Sequence, residues 1–162
     1  MSMKPKIKAF FGSNRHYVVS GASNNPGKFG FKILLWYVSH GLPVIPVNPK
    51  ESEILAQPVV KSVPDVVQAA VSKKDINAYK LGDYDGISIS FLTPPGVTAT
   101  TLKEITMVKG FKDVIKGLWF QPGSYDEEVL KIAEKIGVFD HVVYEDECIL
   151  VRGEEGLYSA NL

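Results

Sequence analysis

One stretch constrains the fold more than any other: Tyr17-Val-Val-Ser-Gly21-Ala-Ser-Asn-Asn-Pro-Gly-Lys-Phe-Gly30, running into the apolar segment 31–38. A short run of β-branched and aromatic residues, a turn dense in glycine and small polar residues, and then a helical apolar segment read as strand, tight turn and helix. Set in an α/β sheet, such a turn lies above the carboxyl end of its strand. The helix N-terminus then presents unpaired N–H donors and a partial positive charge at that spot, which suits a phosphate or diphosphate. Gly21 permits the turn, and Gly27 and Gly30 let the backbone come close to a ligand or a neighbouring strand. Ser23 and Asn24 add side-chain donors.

The rest of the chain repeats the alternation. A short amphipathic helix is predicted at 7–11, a first strand at 16–20 and a helix at 28–40, with Gly41 just past its last periodic residue. The segment 42–47 reads as a strand whose two prolines make it irregular or place it near an edge. Asn48-Pro49-Lys50 is a turn signal at its end. A helix begins at 63 or 64 and runs to 72, with Ser62 as N-cap and Pro64 in its first turn. Then follow a strand at 87–92, a helix at 97–108 and a strand at 114–120. Ser124 is predicted to cap a helix at 125–136, whose positive end suits Asp126, Glu127 and Glu128. A fifth strand is expected at 138–143, and Cys148-Ile-Leu-Val151 as a sixth short strand or a packed extension. Strands alternating with helices imply a doubly wound α/β fold: a mainly parallel sheet of five or six strands with helices on both faces. Ligands of such sheets bind beyond the carboxyl ends of the strands. The segments expected there are 21–27, 47–50, 93–95 and 121–123, all rich in Gly, Pro, Asn, Ser, Thr or Gln.

With 162 residues, 45% of them hydrophobic and 22% charged, the chain has the make-up of one soluble globular domain. The domain is expected at 15–152, after an N-terminal segment at 1–14 and before a tail at 153–162. A formal net charge of zero argues against a nucleic-acid surface. Apolar segment 31–38 is too short to span a bilayer, and the basic N-terminus lacks the apolar stretch of a signal peptide. The single cysteine excludes an internal disulfide and fits a reducing compartment. These features together predict a soluble cytoplasmic protein; a protein partner or a homo-oligomer is left open.

Two features bear on the ligand. The loop is not Gly-x-Gly-x-x-Gly, and the second strand ends in Asn48-Pro49-Lys50 where an NAD site wants an acidic residue for the ribose hydroxyls. A lysine there favours a ribose that carries a phosphate, as in NADP or coenzyme A. The segments Gly21 to Gly30, Pro46-Val-Asn-Pro-Lys50, Ser62-Val-Pro-Asp65, Trp119-Phe-Gln-Pro-Gly123 and Cys148-Ile149 together resemble the CoA-binding domain family. That family is Rossmann-like and related to the N-terminal domain of the succinyl-CoA synthetase α subunit. The resemblance covers about residues 7–151. It implies a CoA or acyl-CoA ligand whose diphosphate is held by Gly21, Ser23, Asn24 and neighbours including Asn25 and Lys28. Asn48, Pro49 and Lys50 would lie near the phosphorylated ribose, and Thr93, Pro94, Gln121 and Pro122 would line the rest of the groove. NADP is the alternative ligand, in a reductase-like protein; a regulatory protein with a vestigial nucleotide site is the other. The synthetase's phosphohistidine domain and nucleotide-binding subunit have no counterpart in these residues, so binding without catalysis is expected.

Groups capable of chemistry are few. His16 begins the first strand, at the wrong end of the sheet for catalysis; His40 sits at a helix C-terminus; His141 falls in the fifth predicted strand. No zinc-like spacing, P-loop or nucleophile elbow is present. Cys148 is the one candidate nucleophile. It reads as a small apolar residue packed at the sheet edge, in reach of a mixed disulfide with CoA if the thiol arm extends that far, and its thiolate is disfavoured by Glu145, Asp146 and Glu147 if they lie nearby. Trp119 and Phe120 are expected in the core, as are Phe10, Phe11, Phe29, Phe31, Trp36 and Tyr37.

Overall fold

The computed structural model describes residues 2–160; Met1, Asn161 and Leu162, which end the segments expected at 1–14 and 153–162, lie outside the described residues. In chain order the elements are α1 (Lys4–Phe10), β1 (Arg15–Ser20), α2 (Phe29–Ser39), β2 (Val44–Val47), a hairpin of β3 (Glu53–Ile54) and β4 (Gln57–Pro58), α3 (Val63–Ser72), a hairpin of β5 (Asp75–Ile76) and β6 (Tyr79–Lys80), β7 (Gly86–Phe91), α4 (Pro95–Ile105), α5 (Phe111–Val114), β8 (Ile115–Phe120), α6 (Glu127–Lys135), β9 (Val142–Val143) and α7 (Ile149–Ala160). Five strands form one parallel sheet in the order β2-β1-β7-β8-β9. The proline-bearing β2 is an edge strand, where the N–H that Pro46 lacks is not required.

Side chains alternate across the sheet and build two cores. Val18, Ile89, Phe91, Leu118 and Phe120 face Val66 of α3, Leu102 of α4 and Val129 of α6. Tyr17, Val19 and Trp119 face the other way, against Ile7 and Phe10 of α1, Ile33 and Leu34 of α2 and Leu157 of α7. Each such side chain contributes about 1.5–3 kcal/mol by leaving water. The buried cation Arg15 beside this second core is satisfied. The Arg15 guanidinium donates to both Asp85 carboxylate oxygens (2.8 and 3.1 Å), to Ser88 Oγ (3.1 Å) and to the Phe10 carbonyl (2.9 Å), fastening α1 to the sheet.

Local chemistry sets the helix starts. Ser62 Oγ accepts the Asp65 N–H (3.3 Å), capping α3 as expected. The cap of α6 is Asp126 instead of Ser124: the Asp126 carboxylate accepts the Val129 N–H (2.9 Å), while the buried Ser124 hydroxyl closes the preceding turn by donating to the Gln121 carbonyl (2.8 Å). The expected fifth strand shrinks to Val142–Val143, because 139–141 close into a 3₁₀ turn that carries His141. Residues from Ile149 on form α7 where a sixth strand or packed extension was expected; its apolar side, including Ile149 and Leu157, packs beside α1 and α2.

Candidate functional site: a cleft at the point where strand order reverses

Chain order places β2 and β7 on opposite sides of β1, so the order in which strands are added reverses between β1 and β7. The helix after β1 covers one face and the helix after β7 the other. The loops leaving the two strands therefore part, and a crevice opens above their carboxyl ends. It has a volume of about 610 Å³.

Backbone chemistry gives this crevice unpaired N–H donors and a partial positive charge. Helix α2 has no side-chain cap, since Lys28 at its N-cap makes no side-chain hydrogen bond. The N–H groups of Phe29 and Gly30, in its first turn, have no partner among the described residues. Both residues line the cleft. Two glycines make the geometry possible. Gly21 adopts φ +94°, and a Cβ on it would lie 3.1–3.2 Å from Leu92 and Thr93. A Cβ on Gly30 would run into the Gly21 carbonyl, so the helix start lies directly on the loop. Among the described residues, the sole ionisable side chain lining the cleft is Lys28, whose charge has the sign an anion needs.

The structure brings most of the predicted residues together. Gly21, Ser23, Lys28, Asn48, Thr93, Pro94 and Pro122 all line the cleft. Ser23 Oγ accepts the Asn25 N–H (3.0 Å), which leaves its own proton for a ligand. Asn48 holds two loops together: its Nδ2 donates to the Ala22 carbonyl (2.9 Å), and its Oδ1 accepts from the N–H groups of Lys50 (2.8 Å) and Glu51 (3.1 Å). Pro49 lines an adjoining groove of about 250 Å³ with Lys61 and Ser62. Gln121 lines a small chamber that also touches Phe29 and Pro122 of the cleft.

Asn24, Asn25 and Lys50 line none of these spaces. The Asn24 amide donates to the Glu51 carboxylate (2.6 Å) and the Glu53 carbonyl (3.0 Å), and Asn25 Oδ1 accepts the Gly27 N–H (2.9 Å). The Lys50 side chain is exposed.

Other residues at the site were not predicted. Phe29, expected in the core, is 59% exposed at the cleft mouth. Leu92 and Gly123 also line the cleft. Lys61 is the cation on the wall of the adjoining groove; its sequence signal was its place just before the N-cap Ser62. His16 lies at the opposite end of the sheet, beside Tyr79 and Tyr84 in a separate cavity of about 480 Å³. Burial pushes its pKa down to about 4, and its Nδ1–H donates to the Tyr17 carbonyl (3.3 Å). His40 donates from Nδ1 to the Trp36 carbonyl (2.7 Å) at the end of α2, and His141 is exposed.

A parallel sheet with a glycine-built cleft at its reversal point places the chain in the Rossmann-like α/β class. More narrowly, the chain belongs to the CoA-binding domain family, whose model matches residues 15–154. Its solved neighbours share the fold. A conserved hypothetical protein from Pyrococcus furiosus is 33% identical, with 85% of this chain and 98% of that one covered at a TM-score of 0.64. A hypothetical protein from Pyrococcus horikoshii OT3 is 22% identical over 96% of this chain and 92% of its own, TM-score 0.69. A Thermus thermophilus protein is 19% identical over 97% and 100%, TM-score 0.70. No curated protein matches the chain. Among the described residues, no helix is long and apolar enough to cross a membrane.

Proposed function

We propose that the cleft binds CoA or an acyl-CoA, with the ligand's diphosphate on the open N-terminus of α2, and that binding is the activity of this domain. The observation that carries the reading is the pair of unpartnered N–H groups of Phe29 and Gly30, beside the Ser23 hydroxyl and Lys28, in a chain of the CoA-binding domain family. A diphosphate supplies the acceptors and the charge such a site lacks.

The ribose phosphate of CoA is met by a lysine from the strip that follows β2. Lys50 is exposed there, and Lys61 lines the groove that continues the cleft past Gly21 and Thr93. A partly exposed pair of this kind contributes on the order of 1 kcal/mol, several-fold in affinity.

Isothermal titration of the purified protein with CoA, dephospho-CoA, NADPH and NADH tests both points. CoA should bind most tightly, and the advantage of CoA over dephospho-CoA should shrink in Lys50→Ala or Lys61→Ala. Tighter binding of NADPH than of CoA would overturn the ligand assignment. An unchanged advantage in both variants would remove the lysines from the argument.

A further inference from the structure

Gln121 is 1% exposed, and its Nε2 is the one buried side-chain polar atom among the described residues that has no hydrogen-bond partner. Its Oε1 accepts the Ile149 N–H at 3.0 Å. That N–H can only donate, so the amide cannot be turned the other way and Nε2 remains the group without an acceptor. A buried donor left unpaired in a native fold points to something that completes it.

The chamber that Gln121 lines has a volume of about 50 Å³, and its other walls are Phe29, Ile33, Leu92, Pro122 and Cys148. Three of these residues, Phe29, Leu92 and Pro122, also line the large cleft, so the chamber is a side room of the proposed CoA site. Given that one water needs about 10–15 Å³ by this measure, the space suits a group of about three or four heavy atoms. Gln121 and Cys148 are the two polar residues among its walls, and Phe29, Ile33, Leu92 and Pro122 are apolar. The fitting occupant is therefore small, mostly apolar and equipped with one good acceptor. A free thiol is a poor acceptor; a thioester carbonyl with a methyl or ethyl group beside it meets all three conditions.

We propose that this chamber seats the acyl end of a short-chain acyl-CoA, with Gln121 Nε2 donating to the thioester carbonyl oxygen, so that the protein distinguishes acylated from free CoA. The proposal rests on the CoA reading of the cleft. Gln121 is then a specificity residue, since the diphosphate contacts are the same for every CoA species.

Titrations with CoA, acetyl-CoA, hexanoyl-CoA and S-ethyl-CoA, a thioether with no carbonyl, test it. Wild type should bind acetyl-CoA about tenfold more tightly than S-ethyl-CoA, the effect of one donor paired instead of orphaned. Hexanoyl-CoA should bind more weakly than acetyl-CoA, because the chamber is full at two or three carbons. Gln121→Met keeps the side-chain size without the donor and should erase the tenfold preference, read as the ratio of the acetyl-CoA and S-ethyl-CoA affinities of the variant itself. Equal affinities of wild type for acetyl-CoA and S-ethyl-CoA overturn the proposal whatever the variant does, and leave the cleft reading standing. If none of the four ligands binds, the cleft reading itself fails and takes the chamber with it.

Discussion

Replacing Gly30 by Ala sets two well-known effects against each other at the centre of the site. Gly30 occupies the first turn of α2, where Ala gains about 1 kcal/mol over Gly in helix propensity. Against this, the new methyl would overlap the Gly21 carbonyl and sit 3.2 Å from the Ser23 nitrogen. Relief needs that carbonyl to retreat by on the order of 1 Å. It is poorly placed to do so. The N–H groups of Gly21 and Ala22 both donate to the Val47 carbonyl (3.2 and 3.3 Å), Asn48 holds the Ala22 carbonyl, and Leu92 and Thr93 lie against Gly21. Overpacking at a site that cannot relax costs about 1–3 kcal/mol, so the steric effect wins by about 1 kcal/mol. The thermal midpoint should fall by about 2–4 °C. Displacing the loop also moves the N–H groups proposed to hold the diphosphate, and CoA affinity should drop at least about tenfold, ~1.4 kcal/mol. Urea denaturation and calorimetric titration on one preparation read both quantities. A variant that is more stable than wild type and binds CoA equally well would refute the reasoning, because the helix start would not be seated on the loop and the phosphate would lie elsewhere.

Ser23→Ala removes a hydroxyl that donates to a charged phosphate in the proposed complex, so CoA affinity should fall by about 1.5–3 kcal/mol in titration, with only a small change in the melting temperature of the free protein; unchanged affinity would move the phosphate away from this turn. His16, with a folded-state pKa of about 4 against an ordinary 6.5, is protonated first in the unfolded chain, so its contribution to stability is intact above pH 6.5 and is lost as pH falls toward 4. Between pH 7 and pH 5 this group alone should lower the unfolding free energy by about 2 kcal/mol in urea titrations, a component absent from His16→Phe; identical pH slopes for the two proteins would contradict it.

The parallel core was legible because its longer strands end in apolar or small-residue runs, 17–20, 86–91 and 117–120, each followed by a turn and a periodic segment. The two hairpins were not. Their strands are two residues long, and their turns place Leu55, Ala56 and Asn77 at positive φ, where sequence signals lead one to look for glycine. Helix α7 was hidden by Gly153 and Gly156, which lower helix propensity in isolation. In the fold they allow close packing: a Cβ at these positions would collide with the Trp36 ring or with Ile7. The cap of α6 was misplaced because Ser124 and Asp126 both suit the role, and only burial of the serine against the Gln121 carbonyl separates them. At the site, the strand-end loops could be read from residue type, whereas the division of labour within them could not. Asn24 and Asn25 have the chemistry of ligand donors, and the fold also uses the Asn24 amide nitrogen in a contact to the hairpin and Asn25 Oδ1 in a turn. Gln121 could be located, but its orphaned amide depends on a helix the sequence did not reveal.

The margins of the sheet have a consequence for how copies of this chain meet at high concentration. On one side, the outer edge of β2 is closed by a single bridge: the Val60 N–H donates to the Pro46 carbonyl (3.0 Å), and Val60 accepts from the Asn48 N–H (3.1 Å). On the other, β9 is only two residues long. The six-residue strands β1, β7 and β8, whose apolar runs would be the most adhesive if bared, are all interior. Neither border offers a stretch of free backbone long enough to template a neighbour's strand. Sheet-to-sheet fusion, the usual route from a crowded β-rich solution to fibrils, is therefore closed to the folded molecule, and opens only if β1, β7 or β8 is first pulled from the middle of the sheet.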